Sequence, residues 1–235
     1  MHAERLTAAA REVAQMRRRI AGDPALRRWS HAVKDWQSAR LARTHADLLA
    51  SERYHVAAHF FLEELYGAKD FAQRDSELER VLPLVTRMLP DAALATLADA
   101  VELDALSESL DEAVAAGLKT DDPERIDEAS YADAYRAAAP RERRLHQLDL
   151  VLGIGRSLDR LVRMPLLGGM LAAMAGPARL AGMATMHEFL SDGYSAFRAL
   201  GGASEFLQRI DGRERTILED LYGGVRTGWT LTTQA

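Results

Sequence analysis

The fold class of this chain is decided by residues 24–66, PALRRWSHAVKDWQSARLARTHADLLASERYHVAAHFFLEELY. Asp23 and Pro24 form a typical helix start, because the acid caps the helix and proline fits its first turn. No further proline or glycine interrupts the stretch before Gly67, which supplies a C-terminal cap. The positions that fall close to one helical stripe are Leu41, Leu48, His55, Leu62 and Tyr66. The pattern predicts a long early helix.

A single helix over this stretch would be about 64 Å long, which is longer than a compact domain accommodates in one straight element. We therefore expect a bend or break near Ser38 or Ser51.

The rest of the chain carries the same helical pattern and no extended run of alternating β-branched or aromatic residues. The predicted further helices are 76–89, 91–117, 124–138, 141–164, 166–175, 178–200 and 203–222. The sequence thus predicts an all-α bundle of roughly eight helices with the long early helix as its spine. Residues 1–224 form one helical domain in this interpretation, with 118–123 as the best internal boundary, and 225–235 form a flexible tail.

Composition places the chain among ordinary globular proteins. Of its 235 residues, 48% are hydrophobic and 28% charged, and none is cysteine, which excludes disulfides, thiolate metal sites and cysteine nucleophiles. The N-terminal residues lack the apolar core of a secretory signal, and the uncharged run at 164–178 is broken by prolines and glycines. We expect a cytoplasmic protein without a transmembrane segment.

Charge is uneven along the sequence. The first 53 residues are net basic, whereas residues 54–133 are strongly acidic. The arginines at 17–19 and 27–28 lack the interleaved aromatic residues and motifs of a nucleic-acid site. Internal or intersubunit ion pairing with the acidic segment is the better interpretation, and we do not expect a nucleic-acid partner.

A set of histidines and acids suggests one possible metal site. Glu52 and His55 have the Glu-x-x-His spacing of di-iron carboxylate bundles, and the ligand types suit non-haem iron or manganese. The candidate ligands are Glu52, His55, His59 and Glu63, with His146 and Asp149 from a later helix. Such bundles need two Glu-x-x-His pairs, and only one is present. The alternative is two histidines at a half-buried seam that bond to nearby carboxylates.

The turn after the long helix is the most specific local feature. Its charged and aromatic residues either cap the next helix and fix an interhelical angle, or form an interaction surface. The residues of that candidate surface are Lys69, Asp70, Phe71, Arg74 and Asp75.

The stretch FFLEELYGAKDFAQRD, residues 60–75, resembles the FFLxxLYGxxDFxxRD signature of an uncharacterised bacterial family of helical proteins. The resemblance continues through RVLPLVTRMLP, LADAVELDALSESLD and SDGYSAFRALGGASEFL, and so covers most of the chain. It implies one helical domain and a bacterial source. It carries no assigned reaction, cofactor or catalytic residue.

The apolar segment 164–186 is the last unusual feature, with Met170 and Met174 one turn apart among small residues. We expect it to pack inside the bundle, and an apolar ligand pocket or a dimer interface are the alternatives. Motifs of hydrolases, nucleotide-binding loops and zinc proteases are absent. The sequence favours a helical interaction or regulatory protein that self-associates and needs no cofactor. The alternatives are a non-haem iron or manganese oxidase-like enzyme and a protein that binds an apolar small molecule.

Overall fold

The computed structural model describes residues 2–61, 90–118 and 122–229, and these residues form ten α-helices and no β-strand. The helices are α1 (His2–Gly22), α2 (Pro24–Thr44), α3 (Ala46–Ala50), α4 (His55–Phe60), α5 (Asp91–Gly117), α6 (Glu128–Ala138), α7 (Arg141–Leu161), α8 (Leu167–Leu180), α9 (Ala184–Ala199) and α10 (Ser204–Tyr222). A single 3-10 turn, Pro123–Arg125, precedes α6. The predicted all-α fold is confirmed.

The helix at the centre of the bundle is α5, not the early helix that the sequence suggested. It packs against α1, α2, α6 and α7. It also supplies side chains to three separate core clusters, with Leu97 in the first, Leu103 in the second and Val114 in the third. Residues from more than one face of α5 are therefore buried, and the surrounding helices are arranged about it.

Basic residues of α1 pair with the acidic residues of α5. The pairs are Arg5 with Asp99 and Glu102, Arg17 with Asp104 and Glu108, and Arg19 with Glu112. Lys34 of α2 adds a second cation to the buried Glu108, at 2.5 Å. These contacts are internal ion pairs between the basic and acidic segments, as the uneven charge of the sequence indicated.

The early helix is interrupted twice, where the sequence predicted one bend or break. His45 separates α2 from α3, and residues 51–54 separate α3 from α4. At the second break the Ser51 hydroxyl accepts the backbone N–H of Tyr54 at 3.3 Å and replaces a helical bond. A break near Ser51 was expected, whereas Ser38 lies within α2. The predicted segments 62–66 and 76–89 lie outside the described residues.

Two other helix boundaries differ from the sequence prediction. Asp122 and Pro123 lead only into the 3-10 turn, and α6 starts at Glu128 because Asp127 and Ser130 form a capping box. The proline at 177 does not end α8, which continues to Leu180. A proline removes only one intrahelical hydrogen bond, so a helix can pass through it near its end.

Residues 225–229 pack against the bundle, although the sequence assigned them to a flexible tail. Trp229 is 1% exposed, and its ring lies 5.7 Å from Trp36 and 5.9 Å from Tyr131. Its indole N–H donates to the Arg226 carbonyl at 3.2 Å, and Arg226 pairs with Asp133. The large apolar area of the indole explains why this segment docks.

Candidate anion-binding site

A pocket of about 90 Å³ lies between α2, α3, α4, α6, α7 and α10. Its lining is of two chemical kinds. The apolar side chains include Leu41, Leu148, Val151, Phe206 and Ile210. The polar side chains include Arg40, His45, Tyr135, Arg144, Gln147 and Glu214. A concave site that is mostly apolar with a few polar groups is the usual form of a small-molecule site.

Arg144 is the most unusual residue of this pocket, because it is a cation that is only 3% exposed. Its Nη1 donates to Oε1 of Gln147 at 3.2 Å, and its guanidinium lies over the Tyr135 ring, 4.0 Å from the centroid. Its Nε and Nη2 atoms are buried and have no hydrogen-bond partner among the described residues. Burial of such a group is unfavourable, because the free energy of desolvating a cation is offset only when hydrogen bonds and opposite charges surround it.

A second cation of the pocket, Arg40, is already neutralised by an acid. Its Nη1 lies 2.6 and 2.7 Å from the two carboxylate oxygens of Glu214, and His45 Nε2 donates to the same carboxylate at 2.9 Å. Burial opposes ionisation of Glu214, but the charge of Arg40 and the hydrogen bond from His45 lower its pKa to about 2. Nε of Arg40 and Nδ1 of His45 have no hydrogen-bond partner in the described part of the chain. Four partnerless buried atoms therefore belong to three residues around one pocket.

The local structure explains how these side chains reach the pocket. Arg144, Leu148 and Val151 follow at i, i+4 and i+7 on α7, so they share one face of that helix. His45 occupies the break between α2 and α3, with φ −114° and ψ 25°, where its ring reaches Glu214 on α10. Sequence reasoning missed the site, but a cation on the apolar stripe of α7 was a signal that pointed to it.

The charge of Arg144 acts on one buried acid, Asp111, although no hydrogen bond joins the two side chains. Gln37 donates to its Oδ1 at 2.9 Å. Burial raises the pKa of Asp111 to about 6, against the opposing effects of Lys34, Gln37 and Arg144. Asp111 therefore binds its proton more tightly than a free carboxyl does, and among the described residues no carboxylate accepts from Nε or Nη2 of Arg144.

The predicted metal ligands do not converge in the described part of the chain. Glu52 lies in the turn before α4, and its backbone carbonyl bonds to Nδ1 of His55 at 3.0 Å. His59 lies on the exposed side of α4. From α7, His146 contacts Glu102 at 3.4 Å, and Asp149 pairs with Arg215 at 2.6 Å.

No three His, Asp or Glu side chains of the described residues are grouped to hold a metal ion. Glu63 lies outside those residues, so the metal site stays a prediction. Elemental analysis of untagged protein beside His55→Ala tests it.

The predicted interaction surface cannot be placed. Lys69, Asp70, Phe71, Arg74 and Asp75 all lie outside the described residues, and the surface stays a prediction from sequence.

The apolar segment 164–186 is not enclosed by the bundle, contrary to the sequence prediction. Leu166 is 86% exposed and Leu180 is 92% exposed, and only Ala178, Met183 and Met186 of this segment are buried. The helix α8 packs mainly on α9, where His187 Nε2 donates to the Leu171 carbonyl at 2.8 Å. The apolar sequence of this segment predicted burial. In the structure α9 covers only one side of α8, so the other side is exposed. No helix in the described chain is long and apolar enough to cross a membrane.

The fold and pocket together define an all-α bundle with a buried, cation-lined pocket. The chain belongs to the family of the domain of unknown function DUF8198, whose model matches residues 16–227. This agrees with the resemblance of the sequence to an uncharacterised helical family. No curated protein and no solved structure matches the chain.

Proposed function

We propose that this protein binds a small organic anion in its core pocket and acts as a ligand-dependent helical regulatory protein. The observation that carries the proposal is the pair of partnerless N–H groups on the buried Arg144. An arginine presents several N–H donors and stays charged at any physiological pH. An anion that accepts from Nε and Nη2 supplies both hydrogen bonds and a compensating charge to this guanidinium group.

The effect of removing Arg144 distinguishes a binding role from a structural role. A cation that holds the fold together destabilises the protein when it is removed. A cation kept for a ligand has the opposite signature, because an apolar or neutral residue of similar size is easier to bury. We expect Arg144→Gln to be at least as stable as the wild-type protein when no ligand is present.

The test is thermal unfolding with and without the sodium salts of small anions, compared at equal ionic strength with sodium chloride. Acetate, butyrate and phosphate are the probes. We expect at least one of them to raise the Tm of the wild-type protein and to leave Arg144→Gln unchanged. The matched control is Arg143→Gln, an exposed neighbour on α7 whose Nη2 bonds to Ser109 at 3.0 Å. Failure of every anion to stabilise the wild-type protein overturns the proposal.

A second proposed function, self-association, rests on the exposed face of α8. Gly169, Ala173, Gly176 and Leu180 recur on α8 at intervals of three and four residues and are all exposed, as is Leu166, which immediately precedes the helix. Two copies related by a twofold axis place this same face against itself. Small residues along its middle allow two helices to approach closely, and the terminal leucines bury apolar area.

Sedimentation velocity over a range of concentrations tests self-association. We expect the mass of the wild-type protein to rise with concentration and the double variant Leu166→Glu/Leu180→Glu to stay monomeric. The control is Val56→Glu/Val225→Glu, which changes two exposed valines elsewhere on the molecule. A wild-type protein that stays monomeric at every concentration contradicts this second function.

The proposal places the protein in a bacterial cytoplasm. The absence of cysteine fits a reducing compartment, and the family resemblance implies a bacterial source. Fractionation of the source cells with an antibody to the protein checks the compartment.

A further inference from the structure

We infer that the anion is a monocarboxylate with a short apolar tail, held edge-on by Arg144; this inference rests on the proposed function. The two partnerless atoms, Nε and Nη2, form one edge of the guanidinium group. Their N–H bonds point in parallel, as the two oxygens of one carboxylate require. The other contacts of the guanidinium group leave that edge free. Gln147 accepts from Nη1, and the Tyr135 ring covers one planar face of the group.

The charge of the lining favours one negative charge on the ligand. Arg40 and Glu214 neutralise each other, since Arg40 Nη1 contacts both oxygens of Glu214. Among the described lining residues, Arg144 is therefore the arginine that no lining carboxylate pairs with. A dicarboxylate or a phosphate dianion carries a second negative charge, for which the lining offers no further unpaired arginine. The carboxylate of Glu214 repels that charge, and the repulsion is strong in a buried site.

The shape of the pocket favours an apolar tail that runs along α7. Leu148 and Val151 lie one and two turns beyond Arg144 on the same helix face, and both line the pocket. A carboxylate on Arg144 thus directs its alkyl chain toward these side chains, where Phe206 and Ile210 of α10 complete the apolar lining.

The volume of the pocket limits the length of that tail. At about 90 Å³ it is smaller than the cavity of about 150 Å³ that accommodates benzene in an engineered protein. A ligand of roughly four to six non-hydrogen atoms fits, which corresponds to acetate, propionate and butyrate. Longer acids exceed this volume, so part of their tail gains no contact with the apolar lining.

The experiment is isothermal titration calorimetry of the full chain with a homologous series of acids. The series is formate, acetate, propionate, butyrate and hexanoate, with phosphate, sulfate and succinate as comparison anions. We expect Kd to fall about fourfold for each added methylene up to butyrate, and binding of hexanoate to be weaker than that of butyrate. Arg144→Lys keeps the charge but loses the paired edge, and we expect it to weaken butyrate binding at least about tenfold. Arg143→Lys is the matched control and keeps wild-type affinity.

A second variant tests the position of the tail. Val151→Ala enlarges the apolar end of the pocket, so we expect the preferred acid to become longer and hexanoate to gain affinity relative to butyrate. Circular dichroism of each variant, recorded before titration, establishes that it is folded. If Val151→Ala fails to fold, Ile210→Val enlarges the apolar end by one carbon instead of two, with a smaller loss of packing.

The outcomes separate the inference from the proposed function. If phosphate or sulfate binds in an Arg144-dependent way and the acids do not, the carboxylate inference is wrong and the anion site stands. If butyrate binds Arg144→Lys as well as it binds the wild-type protein, the edge-on mode is wrong. If no anion binds, both the inference and the proposed function fall.

Discussion

Arg40 and Glu214 join α2 to α10 through one guanidinium nitrogen that lies 2.6 and 2.7 Å from both carboxylate oxygens. Both side chains are mostly buried, at 12% and 15% exposed. Glu214→Gln leaves Arg40 charged without an acid partner, and we expect it to lower the free energy of unfolding by about 3–5 kcal/mol. Urea unfolding at pH 7 measures the change. The control is Glu219→Gln on the same helix, whose pair with Arg141 is solvent-exposed and therefore contributes little to stability.

The same pair gives the protein a defined acid sensitivity. Because the pKa of Glu214 is lowered to about 2 in the folded state, the ionised carboxylate stabilises the fold at pH values above its ordinary pKa of about 4.5. That contribution is lost as the pH falls from there toward 2. We expect the stability difference between the wild-type protein and Glu214→Gln to shrink over this range. A difference that stays constant down to pH 3 contradicts the lowered pKa.

The raised pKa of Asp111 makes folding stability depend on pH in the opposite direction. Its pKa is raised to about 6, so the folded state holds the proton more tightly than the unfolded chain does. Stability from this group is present at low pH and is lost as the pH rises from about 4 to about 6. Asp111→Asn removes this loss of stability and keeps an oxygen that accepts from Gln37. We therefore expect the free energy of unfolding to rise by about 1–3 kcal/mol at pH 8, and the increase to disappear below pH 5.

Urea unfolding at pH 4.5 and pH 8 measures the effect of Asp111→Asn. Asp149→Asn is the control, because Asp149 is exposed and its pair with Arg215 lies on the surface. Destabilisation by Asp111→Asn at pH 8 contradicts the raised pKa.

Alanine substitution at two glycines of α7, two residues apart, is expected to change the free energy of unfolding in opposite directions. A Cβ at Gly155 meets the Leu207 side chain at 2.5 Å, and Leu207 is buried in the core. A Cβ at Gly153 meets nothing within 4 Å. We expect Gly155→Ala to lower the free energy of unfolding by about 1–3 kcal/mol through overpacking. Gly153→Ala is the control and raises it by about 0.5–1 kcal/mol, because alanine is the better helix former. Equal effects contradict the packing of α7 against α10.

Trp229 is expected to be one of the most sensitive positions of the chain. It is 1% exposed and packs with Trp36 and Tyr131, so we expect Trp229→Ala to cost about 3–5 kcal/mol. The control is Val225→Ala, because Val225 is 39% exposed and its loss changes stability by less than about 0.5 kcal/mol. Chemical denaturation of both variants compares them. A Trp229→Ala protein as stable as the control contradicts the docking of this segment.

Local rules predicted the helices well and their packing poorly. The Asp23 cap of α2 was evident because the acid, the proline and the backbone N–H groups of Ala25 and Leu26 are neighbours in sequence. The pairing of the basic α1 with the acidic α5 also followed from charge. The break at His45 was not evident, since it depends on an acid of α10 that is 169 residues away in the sequence.

The candidate site illustrates the same limit. Arg144 is one of three arginines in RERR, and in the sequence only its place on the apolar stripe of α7 separates it from its exposed neighbour Arg143. It becomes distinctive only in the fold, where Tyr135 of α6 packs against it and none of the acids that the structure describes pairs with it. The exposure of Leu180 has the same origin, because sequence gives the polarity of a helix but not the number of helices that cover it.

The contact of Trp229 with Trp36 also bears on how the chain is made. The core cluster shared by α2, α5, α6 and α10 contains residues from Val33 to Trp229. This part of the core is built from contacts of very high sequence separation, and such contacts form late because long loops must close first. During synthesis α2 emerges from the ribosome long before α10 and the segment after it. The part of its apolar face that these elements cover therefore stays exposed until they are made. We therefore expect nascent chains arrested before residue 229 to be captured by chaperones and cut by proteases, and full-length chains released from the ribosome to resist both.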